Sequence, residues 1–177
     1  MQSDGIRRAL PNEAAALSEL ARELFRQGYG ASHPEPEHSR YAARTFSTEV
    51  FSRDMADPRK VVLVAEDAST GSLVAYAVLR DGSPSSDQSS GKEGEPIEIL
   101  RFYVDEKLYG TGVAQALMSA CLIEAATRGK GDIWVQAWQQ APRALAFYKK
   151  MGFVVAGTAK FEFGDRLDDD FLLARPV

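Results

Sequence analysis

Residue types that mark several common classes of site are scarce in this chain of 177 residues. The single cysteine, Cys121, excludes an internal disulfide, and with only two histidines a zinc site is not expected. Lysine and arginine total 21 against 25 aspartates and glutamates, which gives a net charge of -4. Because nucleic-acid binding depends on clustered basic residues, we expect no nucleic-acid partner.

Long hydrophobic runs are also missing. No stretch approaches about 18 uncharged apolar residues, and polar residues such as Asn12 and Glu13 interrupt the N-terminal region. We therefore expect no membrane partner and a cytoplasmic location. The length suits one domain over residues 1–177. Residues 81–96 are rich in serine, glycine and charge, which predicts a mobile surface loop within that domain.

Hydrophobic periodicity predicts the element order β-α-α-β-β-β-α-β-α followed by closing strands, and hence a mixed α/β sheet with flanking antiparallel hairpins. The second helix is expected as one continuous element over Ser39–Met55. The last helix is expected to begin at Pro142 and end at Met151, followed by Gly152. The predicted strands are Ile6–Ala9, Val61–Glu66, Leu73–Arg80, Ile97–Val104, Ile133–Trp138, Phe153–Ala156, Ala159–Phe163 and Phe171–Ala174.

The most informative segment is YGTGVA at residues 109–114, which we call the glycine loop. It lies between the strand Ile97–Val104 and a helix predicted over Val113–Arg128, where backbone N–H groups can hold a phosphate. A dinucleotide fingerprint would need a third glycine where Gln115 stands, and a triphosphate loop would need Gly-Lys-Ser/Thr; neither occurs. Taken alone, the loop could equally be a tight turn without a ligand.

Two segments together resemble the GCN5-related N-acetyltransferases. The glycine loop resembles the family's acyl-CoA signature Gln/Arg-x-x-Gly-x-Gly/Ala, with Tyr109 at the first position. The segment APRALAFYKKMGF at 141–153 resembles Asn-x-x-Ala-x-x-Phe-Tyr-x-x-x-Gly-Phe, with Ala141 in place of the asparagine. At a finer level, the segments 98–104, 133–138 and 161–170 resemble the PaiA-type bacterial spermidine/spermine acetyltransferases.

The resemblance implies a largely antiparallel twisted sheet flanked by helices on both faces. It implies acetyl transfer from acetyl-CoA, without a metal, to a small-molecule primary amine that attacks directly in a ternary complex. A polyamine-like acceptor is favoured. Three alternatives stay open: a protein, amino-acid or antibiotic amine as acceptor, a degenerate module that binds CoA without catalysis, or an interaction module. A homodimer is left open.

The chemistry and the resemblance assign roles to individual residues. Glu98 is the candidate general base, because partial burial between Ile97 and Ile99 is expected to raise its pKa, although a rim glutamate is the alternative. Tyr148 matches the family tyrosine that protonates the leaving thiolate. A backbone N–H within Phe102–Val104 is expected to stabilise the acetyl oxygen. The implied CoA-binding set is Phe102, Tyr103, Val104, Tyr109, Gly110, Thr111, Gly112, Val113, Ala114, Arg143 and Tyr148.

Other conspicuous residues are expected to have ordinary structural roles. Cys121 lies among apolar residues and is expected to be an inert core thiol. His33 and His38 flank a proline-rich loop and are expected to be exposed to solvent. The aspartates at 165 and 168–170 are expected to form an acidic turn, which would attract a cationic acceptor.

Overall fold

The computed structural model describes residues 5–82 and 94–177, so most of the loop predicted at 81–96 lies outside the described residues. The strands are β1 (Ile6–Arg8), β2 (Lys60–Glu66), β3 (Leu73–Asp81), β4 (Ile97–Val104), β5 (Asp132–Trp138), β6 (Val154–Phe163) and β7 (Arg166–Pro176). The α-helices are α1 (Ala14–Tyr29), α2 (Glu37–Thr45), α3 (Thr48–Ala56), α4 (Val113–Thr127) and α5 (Pro142–Lys150). Short 3-10 turns occupy Pro11–Glu13 and Glu106–Leu108.

The seven strands are hydrogen-bonded in the order β1-β2-β3-β4-β5-β7-β6. Strands β4 and β5 are parallel, whereas β1 with β2, β5 with β7 and β6 with β7 are antiparallel. This arrangement confirms the predicted mixed, largely antiparallel α/β class. By their contacts the residues group into two compact units, Met1–Val78 with Arg101–Ala120 and Leu79–Leu100 with Cys121–Val177. The single domain over 1–177 stays a prediction.

The single helix predicted over Ser39–Met55 is wrong, because the chain forms α2 and α3 with a break between them. Phe46 leaves the helical conformation, and Ser47 is extended. The Ser47 hydroxyl then accepts a hydrogen bond from the Val50 N–H at 3.2 Å, which caps the start of α3. Ser47 followed by Glu49 in the first turn is a helix-start signal that the periodicity alone did not reveal.

The C-terminal hairpin also differs from the prediction. The two strands expected at Phe153–Ala156 and Ala159–Phe163 are one strand, β6, whose register with β7 shifts between Val155 and Gly157. The prediction of an acidic turn formed by the aspartates at 165 and 168–170 is wrong as well, because Asp168 and Asp170 lie within β7 and are buried. Strand alternation places these two carboxylates on one face, while Asp169 between them is exposed.

A buried charge cluster ties strand β4 to helix α3 in the first unit. Asp54 is only 3% exposed, and its carboxylate accepts hydrogen bonds from Arg101 Nη1 at 2.6 Å and Lys60 Nζ at 2.5 Å. The Arg101 guanidinium carbon also lies 5.7 Å from the ring centroid of Phe46 and 5.6 Å from that of Phe51. These cation–π contacts and the ion pairs together offset the desolvation of the arginine.

We predict that Asp54→Ala lowers the free energy of unfolding by about 3–5 kcal/mol, because it leaves the Arg101 charge buried without its carboxylate. Urea denaturation measures this change. Asp169→Ala is the matched control, because its ion pair with Lys160 is exposed and is expected to contribute less than about 1 kcal/mol. An equal effect of the two substitutions would contradict the structural role of the buried cluster.

Candidate functional site

The glycine loop follows β4 through the short turn Glu106–Leu108, whose start is capped by the Asp105 carboxylate accepting from Lys107 N at 3.0 Å. Gly110 has φ +81° and Gly112 has φ +97°, a left-handed conformation that favours glycine. A Cβ atom at Gly110 would meet nothing within 4 Å, so backbone conformation rather than crowding requires glycine there.

Helix α4 begins immediately after the glycine loop, at Val113. The first N–H groups of an α-helix have no acceptor within the helix, and the helix dipole makes this end positive. The Thr111 hydroxyl donates to the Leu108 carbonyl at 2.7 Å, so the loop is held by its own hydrogen bonds. The predicted order of strand, glycine loop and helix start is therefore confirmed, and it can hold an anionic group.

Strand β4 carries one residue more than the facing part of β3. Gly82 N donates to the Pro96 carbonyl at one end of the pair, and Asp105 N donates to the Val74 carbonyl at the other. Between these two bonds the chain advances by eight residues on β3, from Val74 to Gly82, and by nine on β4, from Pro96 to Asp105. The extra residue is a β-bulge, which stays outside the regular ladder of hydrogen bonds.

Side-chain contacts locate the bulge within β4. Arg80 on β3 contacts Glu98, and Tyr76 on β3 stacks on Tyr103 with ring centroids 5.6 Å apart. The extra residue therefore lies between Glu98 and Tyr103. This position adjoins the segment Phe102–Val104, from which the sequence predicts a backbone donor.

The side chain of Tyr103 holds this segment of β4 in the first unit. Its ring is stacked on Tyr76 and lies edge-on to Phe46 at 6.1 Å. Burial raises the pKa of the Tyr103 phenol well above its ordinary value, so the hydroxyl stays protonated across the physiological range.

Glu98 lies on β4 in the second unit and is buried, at 6% exposure. Its neighbours in the sequence, Ile97 and Ile99, are buried as well. The Oε2 atom of Glu98 accepts hydrogen bonds from Arg80, of which the one from Nε is 2.9 Å long. The parallel register places Glu98 beside Trp134 on β5. Sequence reasoning anticipated the burial of Glu98 but missed Arg80, because no local spacing relates residues on two different strands.

Tyr148 is buried in helix α5, at 6% exposure, and its ring packs edge-on against Phe147 at 5.6 Å and Phe153 at 5.5 Å. The helix ends as predicted, because Gly152 has φ +86° and Phe153 N donates to the Tyr148 carbonyl at 3.0 Å. Arg143 is exposed on the first turn of the same helix.

The expectation of solvent-exposed histidines is wrong. His33 is 4% exposed and His38 is 5% exposed. The His38 ring stacks on Phe25 with centroids 4.6 Å apart, and His33 lies edge-on to Tyr29 at 5.4 Å. Aromatic residues of α1 therefore bury both imidazoles. The signal for this packing was the pair Phe25 and Tyr29, one helical turn apart.

Residues 5–82 and 94–177 show no candidate metal centre. Within these residues, histidine, cysteine, aspartate and glutamate side chains form no group of three or more arranged to bind a metal ion. The helices in the same part of the chain are all too short or too polar to cross a membrane.

Comparison with known proteins identifies the family. The sequence model described as the acetyltransferase (GNAT) domain matches residues 58–155. An uncharacterized N-acetyltransferase of Mycobacterium tuberculosis (strain H37Rv) is 31% identical over 143 residues, which cover 80% of this chain and 84% of the relative. The chain therefore belongs to the GNAT family of N-acetyltransferases.

Solved structures share the fold. The PaiA N-acetyltransferase from Thermoplasma acidophilum in complex with coenzyme A matches with a TM-score of 0.77 at 19% identity, over 97% of this chain and 98% of that chain. NAA60 from Arabidopsis thaliana in complex with acetyl-CoA matches with a TM-score of 0.75 at 17% identity, over 97% of each chain. At these identities the likeness concerns the fold alone.

Cys121 is the free cysteine of the chain and is fully buried in α4. Burial raises the pKa of its thiol to about 12, so we predict almost no thiolate at pH 8 and no reaction with a thiol reagent in the native protein. Titration with dithiobis-nitrobenzoate checks this, with the urea-unfolded chain as the control that reacts fully. Rapid labelling of the native protein would contradict an inert core cysteine.

Proposed function

We propose that this protein transfers the acetyl group of acetyl-CoA to a primary alkylamine, with a polyamine as the favoured acceptor. The observation that carries the proposal is the junction of the bulged strand β4, the glycine loop with positive φ at Gly110 and Gly112, and the start of α4. Membership of the GNAT family and the coenzyme complexes of its structural neighbours support the same assignment.

Bound acetyl-CoA would supply an activated thioester carbonyl. The backbone N–H groups of the glycine loop and of the first turn of α4 would hold its pyrophosphate, with Tyr109 and Thr111 beside them. An exposed Tyr109 ring, at 44%, offers a surface against which the coenzyme can pack. These donors belong to the backbone, so the replacement of the usual glutamine or arginine by tyrosine leaves them in place.

A backbone N–H within Phe102–Val104 would stabilise the negative charge that develops on the acetyl oxygen. The β-bulge supports this role, because a bulged strand has a residue outside its ladder. One donor of this type lowers an activation barrier by about 2.7–4 kcal/mol.

Glu98 would act as the general base. An alkylammonium has a pKa of about 10.4 and must lose a proton before its nitrogen can attack. The Arg80 guanidinium donates to Oε2 and orients the Glu98 carboxylate, which would take the proton of the amine directly or through a water molecule.

Tyr148 would act as the general acid. As the new C–N bond forms and the C–S bond breaks, the CoA sulfur gains a pair of electrons and needs a proton. An ordinary phenol, with a pKa of about 10, can donate to a thiolate whose thiol has a pKa of about 8.5. The rings of Phe147 and Phe153 fix the position of this phenol.

Tyr148→Phe is expected to lower kcat about a hundredfold, the size of a general-acid contribution, while the Kd for CoA stays nearly unchanged. Steady-state kinetics and isothermal titration measure the two quantities. Tyr76→Phe is the matched control, because the buried Tyr76 hydroxyl has no hydrogen-bond partner among the described residues. Unchanged turnover in Tyr148→Phe would remove this residue from the catalytic set.

Release of CoA from acetyl-CoA in the presence of separate amines tests the function as a whole. We expect release with spermidine, less with 1-aminobutane and none without an amine. Release only with a peptide, amino acid or aminoglycoside would retain the enzyme and overturn the polyamine preference. No release with any amine, together with retained CoA binding, would instead establish the degenerate module.

A further inference from the structure

Strand β6 lies at one edge of the sheet. Among the described residues it has a neighbouring strand on one side only, which is β7. The strand at the opposite edge, β1, is three residues long, and a short edge strand protects a sheet against pairing with another chain. Strand β6 has ten residues, all of them exposed or half-buried except Phe163. Its outer edge therefore suits the addition of a further strand.

The regular part of β6 is the part that can pair with another strand. The register of β6 with β7 shifts between Val155 and Gly157, whereas the pairing is regular from Gly157 to Phe163. A bulge bends and twists the strand that carries it, so it hinders strand addition at the beginning of β6. The segment from Gly157 to Phe163 has no such irregularity.

Three consecutive residues in this regular segment are complementary to the same three residues of a second copy. They are Lys160, Phe161 and Glu162, which we call the KFE segment. In an antiparallel pair of KFE segments centred on Phe161, Lys160 lies opposite the partner's Glu162, and Glu162 lies opposite the partner's Lys160. The two phenylalanines then lie opposite each other. Opposite charges and aromatic side chains directly across two strands stabilise an antiparallel pair.

The two charged side chains of the KFE segment are accessible for this pairing. Lys160 has a side chain that is 58% exposed, and Glu162 is exposed as well. Lys160 forms an ion pair with Asp169 on β7, but an ammonium group has three donors and can bind a second carboxylate. Because side chains alternate along a strand, the two charges lie on one face of the sheet and Phe161 on the other.

The same hairpin exposes apolar surface. Three of the six exposed large apolar side chains in the described part of the chain lie on β6 or β7. They are Val154, Val155 and Leu167. Exposed apolar patches are typical of surfaces that another protein covers. The apolar surface and the complementary charges therefore occur on the same element.

We propose that two copies of this chain form a homodimer by pairing the outer edges of their β6 strands, antiparallel and centred on Phe161. A second copy is the occupant that fits, because the KFE segment is complementary to itself and the arrangement has the two-fold symmetry of a closed dimer. The inference concerns assembly and does not depend on the proposed function.

Charge reversal in the full-length chain tests the inference, with sedimentation velocity as the measurement. We expect the wild-type chain to be a dimer at micromolar concentration. Glu162→Lys places lysine opposite lysine at two positions, and Lys160→Glu places glutamate opposite glutamate. Each variant is expected to raise the dimer Kd at least about tenfold, because two attractive cross-strand pairs become repulsive. Glu19→Lys, at an exposed position on α1, is the matched control and should leave the Kd unchanged.

Exchange of the two charges separates specific pairing from damage to the fold. The double variant Lys160→Glu/Glu162→Lys restores both ion pairs, so its Kd should return to the wild-type value. An equal mixture of the two single variants should form a heterodimer for the same reason. A monomeric wild-type chain, a dimer that the single reversals do not weaken, or a double variant that stays dissociated would overturn the inference.

Discussion

Strand β4 has to satisfy two opposing demands. It holds charged side chains in the interior, Glu98 against Arg80 and Arg101 against Asp54, and each of these carboxylates is buried and ion-paired. It also departs from regular pairing with β3 by one residue, which interrupts the regular ladder of hydrogen bonds. The ion pairs and the packed Tyr103 ring hold the strand in place despite the bulge. The end of this strand determines where the glycine loop lies.

The distribution of charge follows from the same arrangement. An acidic chain can bind an anionic coenzyme when the donors are backbone N–H groups at a helix start, because these need no basic surface. Carboxylates are then available for a cationic acceptor. In the proposed function Glu98 takes a proton from the reacting amine. The negative net charge and the anionic cosubstrate are therefore compatible.

Local signals in the sequence predicted the parts of the site that depend on neighbouring residues. The glycine loop, the start of α4 and the end of α5 at Gly152 each depend on a glycine or a helix terminus, and all three were predicted correctly. Contacts between distant elements were not predicted. Arg80 and Glu98, for example, lie on two different strands, and no sequence pattern indicates that they pair. The burial of His38 depends likewise on Phe25, thirteen residues earlier, and therefore on how α1 meets α2.

The proposed reaction is direct transfer of an acetyl group from acetyl-CoA to an amine nitrogen. It is tested most directly by incubating the protein with carbonyl-¹³C acetyl-CoA and spermidine and following the labelled carbon by nuclear magnetic resonance. Direct transfer predicts that the thioester signal is replaced by an amide signal on spermidine, matched by an equal amount of free CoA. Labelled acetate, or a thioester signal that persists while spermidine stays unmodified, would contradict it.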